Sequence, residues 1–167
     1  MLEKAFGQLA HYFEESQMAD WYAGCIIYRK NDKNEREFLV IDTKSLHPDF
    51  KGRSKVQTKF PGGTEQGHEK EDKTVEDTRD RELFEETDLC IRPGYNPRVI
   101  HTETIPGHFK VFYLIPFEEL FGDIRTGEKT VDLDWMSAPY WLNRFKLMHI
   151  LYKSHQSAFS EAIMAVE

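Results

Sequence analysis

Cysteine is scarce: Cys25 and Cys90 are the only two, and they lack the spacing of a thiolate metal site. Reduced, mostly buried thiols are therefore expected. No run approaches the roughly 18 apolar residues of a membrane helix, and no basic segment followed by an apolar run opens the chain. A soluble, cytoplasmic protein with no membrane association is the resulting expectation. Positive charge is also short, with 22 Lys and Arg against 29 Asp and Glu and a net charge of −7. That balance argues against general nucleic-acid binding, although a metal and a local basic cluster can still accommodate a nucleotide. Repeats, low-complexity blocks and linkers are missing too, so residues 1–167 are expected to form one domain with one core. Apolar residues at 40% and aromatics at 13% suffice to build it.

What is present reads as strands mixed with helices. Leu2, Phe6, Leu9, Tyr12 and Phe13 recur at helical spacing, predicting an amphipathic helix over about 2–18 that caps the domain or packs in a homodimer. Residues 21–28 read as a buried strand, 31–34 as a turn and 37–41 as the returning strand. Residues 42–56 read as a polar loop carrying Lys44, Lys51, Arg53 and Lys55. It is either solvated surface or a cationic rim for phosphates, with Arg53, Lys55 and Lys59 as the substrate-binding candidates. Strands are predicted at 98–105 and 109–116 around Pro106-Gly107, then a short helical turn at 118–121 and a last strand at 130–136. Ser137 is read as the cap of a C-terminal helix over about 138–166, continuous or broken, that covers one sheet face. The overall expectation is an α/β fold, a mixed sheet between helical layers.

Two short stretches carry the chemistry: Phe60-Pro61-Gly62-Gly63, and Arg81-Glu82-Leu83-Phe84-Glu85-Glu86-Thr87-Asp88-Leu89. Residues 74–87 read as one helix, with Thr74 as N-cap and Asp77 completing something close to a capping box. At roughly 100° per residue, Glu82, Glu85 and Glu86 fall within an arc of about 100°. Like charges so placed repel, so the arc is either a solvated acidic face or a set that a hard divalent cation with oxygen ligands would relieve. The carboxylates should titrate as a coupled set, with at least one pKa raised. Adjacent glycines let main-chain carbonyls approach a ligand closely.

Together these stretches resemble the signature of the Nudix hydrolases, Gly-x5-Glu-x7-Arg-Glu-U-x-Glu-Glu-x-Gly-U, where U is a bulky apolar residue. The match covers Gly63, Arg81, Glu82, Leu83, Glu85, Glu86 and Leu89. It departs in two places. The Gly63–Arg81 interval is four residues longer than the pattern, so the first glutamate position falls on Glu69 or on Lys73. Asp88 stands in place of glycine, where a left-handed helix end is tolerated by Asp better than by most residues.

The resemblance implies a Nudix-like α/β/α sandwich and metal-assisted hydrolysis of a diphosphate linkage in a nucleoside diphosphate joined to a moiety X. Mg2+ or Mn2+ is the implied cofactor and a small-molecule nucleotide the implied partner. Glu85 and Glu86 match the metal-binding pair, Glu82 a further ligand or base, and Gly63 (or Gly62) a carbonyl ligand. Arg81 matches the arginine that holds a box glutamate, with Glu85 as its i,i+4 mate. A further loop acid, Glu128 or else Asp132, is implied as extra ligand or general base. Trp21, Tyr22, Phe109 and Trp135 either stack a base or pack in the core. A non-catalytic nucleotide sensor is the alternative, and a cysteine-dependent isopentenyl-diphosphate isomerase a second one. X and the base are not specified by these residues.

Overall fold

The computed structural model describes residues 20–46, 55–65, 72–131 and 133–167. The predicted N-terminal helix lies outside them, as do Lys51, Arg53, Glu69, Glu71 and Asp132. In chain order the elements are β1 (Asp20–Lys30), β2 (Arg36–Ser45), β3 (Gln57–Lys59), β4 (Gly62–Thr64) and the helix α1 (Val75–Thr87). There follow β5 (Cys90–Ile91), β6 (Arg98–Ile105), β7 (His108–Pro116), β8 (Leu120–Phe121), β9 (Lys129–Val131), β10 (Asp134–Met136) and β11 (Tyr140–Asn143). Two helices close the chain, α2 (Arg144–Ile150) and α3 (Gln156–Val166).

The principal sheet runs β6-β7-β1-β2-β10-β9. It is mixed: β1 pairs parallel to β7 from Asp20↔His108 to Tyr28↔Pro116, while the remaining pairings within it are antiparallel. Successive side chains of a strand face opposite ways. Ala23, Cys25 and Ile27 accordingly join Leu83 and Leu89 in the core on one face. Ile26 points to the other face, where Phe112, Leu147, Leu151 and Phe159 gather. With both faces covered, β1 needs the apolar run seen at Ala23–Ile27 rather than alternation with polar residues. The layers are α1, the sheet, then α2 with α3. Among the described residues no helix is long and apolar enough to cross a membrane.

Beyond Tyr28↔Phe38, β1 and β2 part. β4 continues along β1 through Tyr22↔Thr64 to Gly24↔Gly62, and β3 along β2 through Ile41↔Lys59 to Thr43↔Gln57. The Phe60-Pro61 turn thus sits in the fork, tied to β1 by the Cys25 N–H donating to the Pro61 carbonyl at 2.8 Å.

Three expectations need correction. Residues 42–45 belong to β2 rather than to a loop. The predicted strand 130–136 is a hairpin of β9 and β10 that turns where Leu133 takes φ 66°. The C-terminal helix over 138–166 is replaced by a strand and two helices. Tyr140–Asn143 pair with Glu37–Val40, because β2 offers an open edge that β-prone Tyr140 and Trp141 can fill. Asn143, not Ser137, caps the next helix by accepting the Lys146 N–H at 3.0 Å. Ser137 instead accepts the Asp42 N–H through its hydroxyl. The chain breaks again at Leu151, where Tyr152 N–H bonds the Thr58 carbonyl at 2.8 Å.

Candidate functional site

The helix α1 starts and stops as its sequence dictates. The Thr74 hydroxyl accepts the Asp77 N–H at 3.1 Å and the Asp77 carboxylate accepts the Thr74 N–H at 3.0 Å, a complete capping box. Asp88 ends the helix in the left-handed conformation, φ 64°. Leu83 turns to the sheet, which leaves Glu82, Glu85 and Glu86 facing the fork.

Two glycines make that approach possible. Gly62 takes φ 153°, and a Cβ there would lie 2.4 Å from the Ala23 carbonyl oxygen. A Cβ on Gly63 would lie 2.3 Å from the Glu82 carboxyl group. The glutamates therefore rest against bare backbone. Glu86, almost fully buried, accepts the Gly62 N–H at 2.7 Å and the Lys59 ammonium at 2.9 Å. Lys59 also donates to the Gly62 carbonyl at 2.7 Å. The carbonyl engaged at the carboxylates is thus that of Gly62, and Gly63 contributes the missing side chain. The bend is held from behind by His155, whose Nδ1 accepts the Phe60 N–H at 3.2 Å.

Arg81 organises the acids. Its expected bond to Glu85 is present at 3.2 Å, but it also donates to Glu82 at 2.7 Å, to Asp72 at 2.7 Å and to the Thr64 carbonyl at 3.1 Å. Asp72, buried and further bonded by the Thr78 hydroxyl, was not foreseen. The available signal was its place nine residues before Arg81, on the acidic insertion. Lys73 is exposed and supplies only its N–H to the Asp77 carboxylate among the hydrogen bonds found. Arg125 was also missed; it donates to the carbonyls of Glu86, Gly127 and Ser137, pinning the end of α1 to the loop beyond β8.

The glutamates and the glycine bend border a cleft of about 670 Å³. Glu82, Glu85, Glu86, Gly62 and Gly63 form its acidic wall, while Lys44 and Lys55 stand among its other lining residues. Asp134 and Glu65 line it as well, and Tyr22 is its one aromatic among the described residues. Glu128 does not reach it: exposed, it accepts the Trp135 indole N–H at 3.0 Å. Trp21 bonds the Thr78 hydroxyl and Phe109 lies in the core, so neither offers a base platform. Both cysteines are free, with Cys25 fully buried and its thiol pKa pushed up by that burial. Neither cysteine lines the cleft.

Burial, then the charge of Glu86, pushes the Glu82 carboxyl up to about 7 against the opposing pull of Arg81 and Lys59. The donor set of carboxylates and a carbonyl is the hard-oxygen kind that Mg2+ or Mn2+ takes. The residues present therefore fit such an ion in kind. They are not preassembled around one: among the described residues, no three His, Cys, Asp or Glu side chains are grouped to hold a metal. Arg81 and Lys59 hold the carboxylates instead.

No family model and no curated protein matches the sequence. Solved structures share its fold. The NUDIX domain of Shewanella oneidensis NrtR, in complex with ADP ribose, superposes at TM-score 0.64 with 16% identity, over 95% of this chain and 98% of that one. A mutT/nudix family protein from Listeria innocua gives 0.56 with 19% identity, over 90% and 96% of the two chains. The MutT NUDIX hydrolase from Burkholderia pseudomallei gives 0.54 with 18% identity, over 84% and 97%. The chain therefore has the Nudix fold, an α/β sandwich around a mixed sheet.

Proposed function

We propose that this protein is a metal-dependent hydrolase of the diphosphate linkage in a nucleoside diphosphate joined to X, releasing a nucleoside monophosphate and phosphorylated X. Nucleotide sugars and ADP-ribose-like compounds are the favoured substrates, ahead of (d)NTPs and dinucleoside polyphosphates. One observation carries the reading: three glutamates from a single stretch of α1 line one cleft with Gly62, Gly63, Lys44 and Lys55, and Glu86 accepts the Gly62 N–H. Glu82, Glu85 and Glu86 with the Gly62 carbonyl would hold Mg2+ or Mn2+. Bound there, such an ion supplies charge neutralisation for the diphosphate and acidifies water. The chain's own contribution is positioning. Arg81 fixes Glu82 and Glu85, the Gly62 N–H fixes Glu86, and Lys44 and Lys55 attract the phosphates. Asp134, at the start of β10 on the cleft wall, takes the place foreseen for Glu128 as the additional acid.

A second reading, nucleotide binding without turnover, draws support from Lys59 and Arg81, which already satisfy the glutamates. The cysteine-dependent isomerase reading draws none, since Cys25 and Cys90 stand apart from the cleft. A screen of nucleoside diphosphate derivatives with Mg2+ or Mn2+, in 18O-labelled water with both products identified, separates the first two. Turnover that falls about a hundredfold or more in Glu85→Gln and Glu86→Gln supports the hydrolase. Tight nucleotide binding with no products from any of them supports the sensor.

A further inference from the structure

Lys59 sets its ammonium between two oxygens of the cleft's acidic wall. Its ammonium bridges the Gly62 carbonyl at 2.7 Å and Glu86 Oε1 at 2.9 Å, and its side chain is only 18% exposed. The other Glu86 oxygen is taken by the Gly62 N–H at 2.7 Å. Both Glu86 oxygens thus have a partner without a metal. Arg81 neutralises the remaining glutamates differently. Its planar fork is fixed by Asp72 and by the Thr64 carbonyl, outside the trio, so it cannot leave without uncovering a buried acid. Among the described residues Lys59 donates only to these two oxygens of the site itself, and an ammonium on a flexible stem is a movable point charge.

We propose that Lys59 is a built-in counter-cation, holding the site between the Gly62 carbonyl and Glu86 until a divalent ion displaces it. This rests on the hydrolase reading above and adds to it a residue that sets the threshold for metal entry. With the ammonium present, the ion must break two charge-assisted hydrogen bonds to gain Glu86. With the ammonium removed, it meets an uncompensated carboxylate.

Mn2+ binding to the wild type, Lys59→Gln, Lys59→Met and Lys59→Arg, followed by the electron paramagnetic resonance of free Mn2+, tests this. The two neutral variants should bind about ten- to a hundredfold more tightly than wild type, and Lys59→Arg no more tightly. Their metal-free melting temperatures should fall below that of wild type, and Mn2+ should raise them by more than it raises the wild-type value. Equal or weaker Mn2+ binding in folded neutral variants, with wild type still binding, overturns the displacement and leaves the hydrolase reading standing. Failure of every form to bind at millimolar Mn2+ overturns both. If the neutral variants do not fold, the Lys59 ammonium resonance of the wild type decides. Its loss on Mg2+ addition supports displacement, and its persistence at saturating Mg2+ overturns it.

Discussion

Acid should destabilise this protein in part through one imidazole. His155 lies 3% exposed against Phe60, Phe112 and Tyr22, and its pKa is lowered to about 3, first by burial and then by the charges of Lys59 and Lys110. Its Nδ1 accepts the Phe60 N–H, so the neutral ring carries its proton on Nε2, donated to the Tyr22 hydroxyl at 3.1 Å. A second proton would have to go on Nδ1, facing a donor. The unfolded side chain titrates near 6.5, and the folded value is depressed, so above about pH 6.5 both states are neutral and stability is unaffected. As pH falls from about 6.5 towards 3, the unfolded state takes up a proton that the folded state refuses, and stability is lost. The complete loss approaches about 5 kcal/mol, and the part lost between pH 7 and pH 4.5 is about 2.5 kcal/mol. Urea unfolding at those two pH values, in wild type and in His155→Gln, isolates this contribution from the carboxylates that titrate over the same range. The wild-type loss should exceed that of the variant by about 2 kcal/mol. Parallel losses in the two proteins would refute the reasoning, as would a His155 ring resonance titrating near pH 6 in the folded state.

The two glycines of the bend should separate fold from site. Gly62→Ala forces a left-handed residue and a Cβ against the Ala23 backbone, costing about 1–3 kcal/mol or more in urea unfolding. Gly63→Ala meets the Glu82 carboxyl group first rather than backbone, so calorimetry should find a smaller stability loss and titration a larger loss of Mn2+ affinity. Arg81→Ala removes the arginine from a buried Asp72 and should cost about 3–5 kcal/mol, with Arg81→Lys recovering only part because one ammonium cannot span Asp72, Glu82 and Glu85 together. A loss below about 1 kcal/mol in Arg81→Ala would mean that the Arg81–Asp72 contact holds nothing in place.

Local rules were enough for the elements whose signals are short-ranged. Thr74, Asp77 and the acidic spacing of Glu82, Glu85 and Glu86 specified the helix, its start and its charged face, because caps and helical period are set within a few residues. The strands around Pro106-Gly107 followed from the same kind of pattern. Tertiary structure decided the rest. Tyr140–Asn143 became a strand because β2 had an edge to fill, a fact located about 100 residues away in the chain. Asp72 met Arg81, and Asp134 rather than Glu128 reached the cleft, through loop paths that no periodicity encodes. Lys59 read as a phosphate ligand from its basic neighbourhood, yet the fork between β1 and β2 turns it onto Gly62 and Glu86. Residue type and spacing determine which charges a helix presents; only the packed chain determines which countercharge arrives opposite them, because that pairing depends on where distant backbone can come within hydrogen-bond reach.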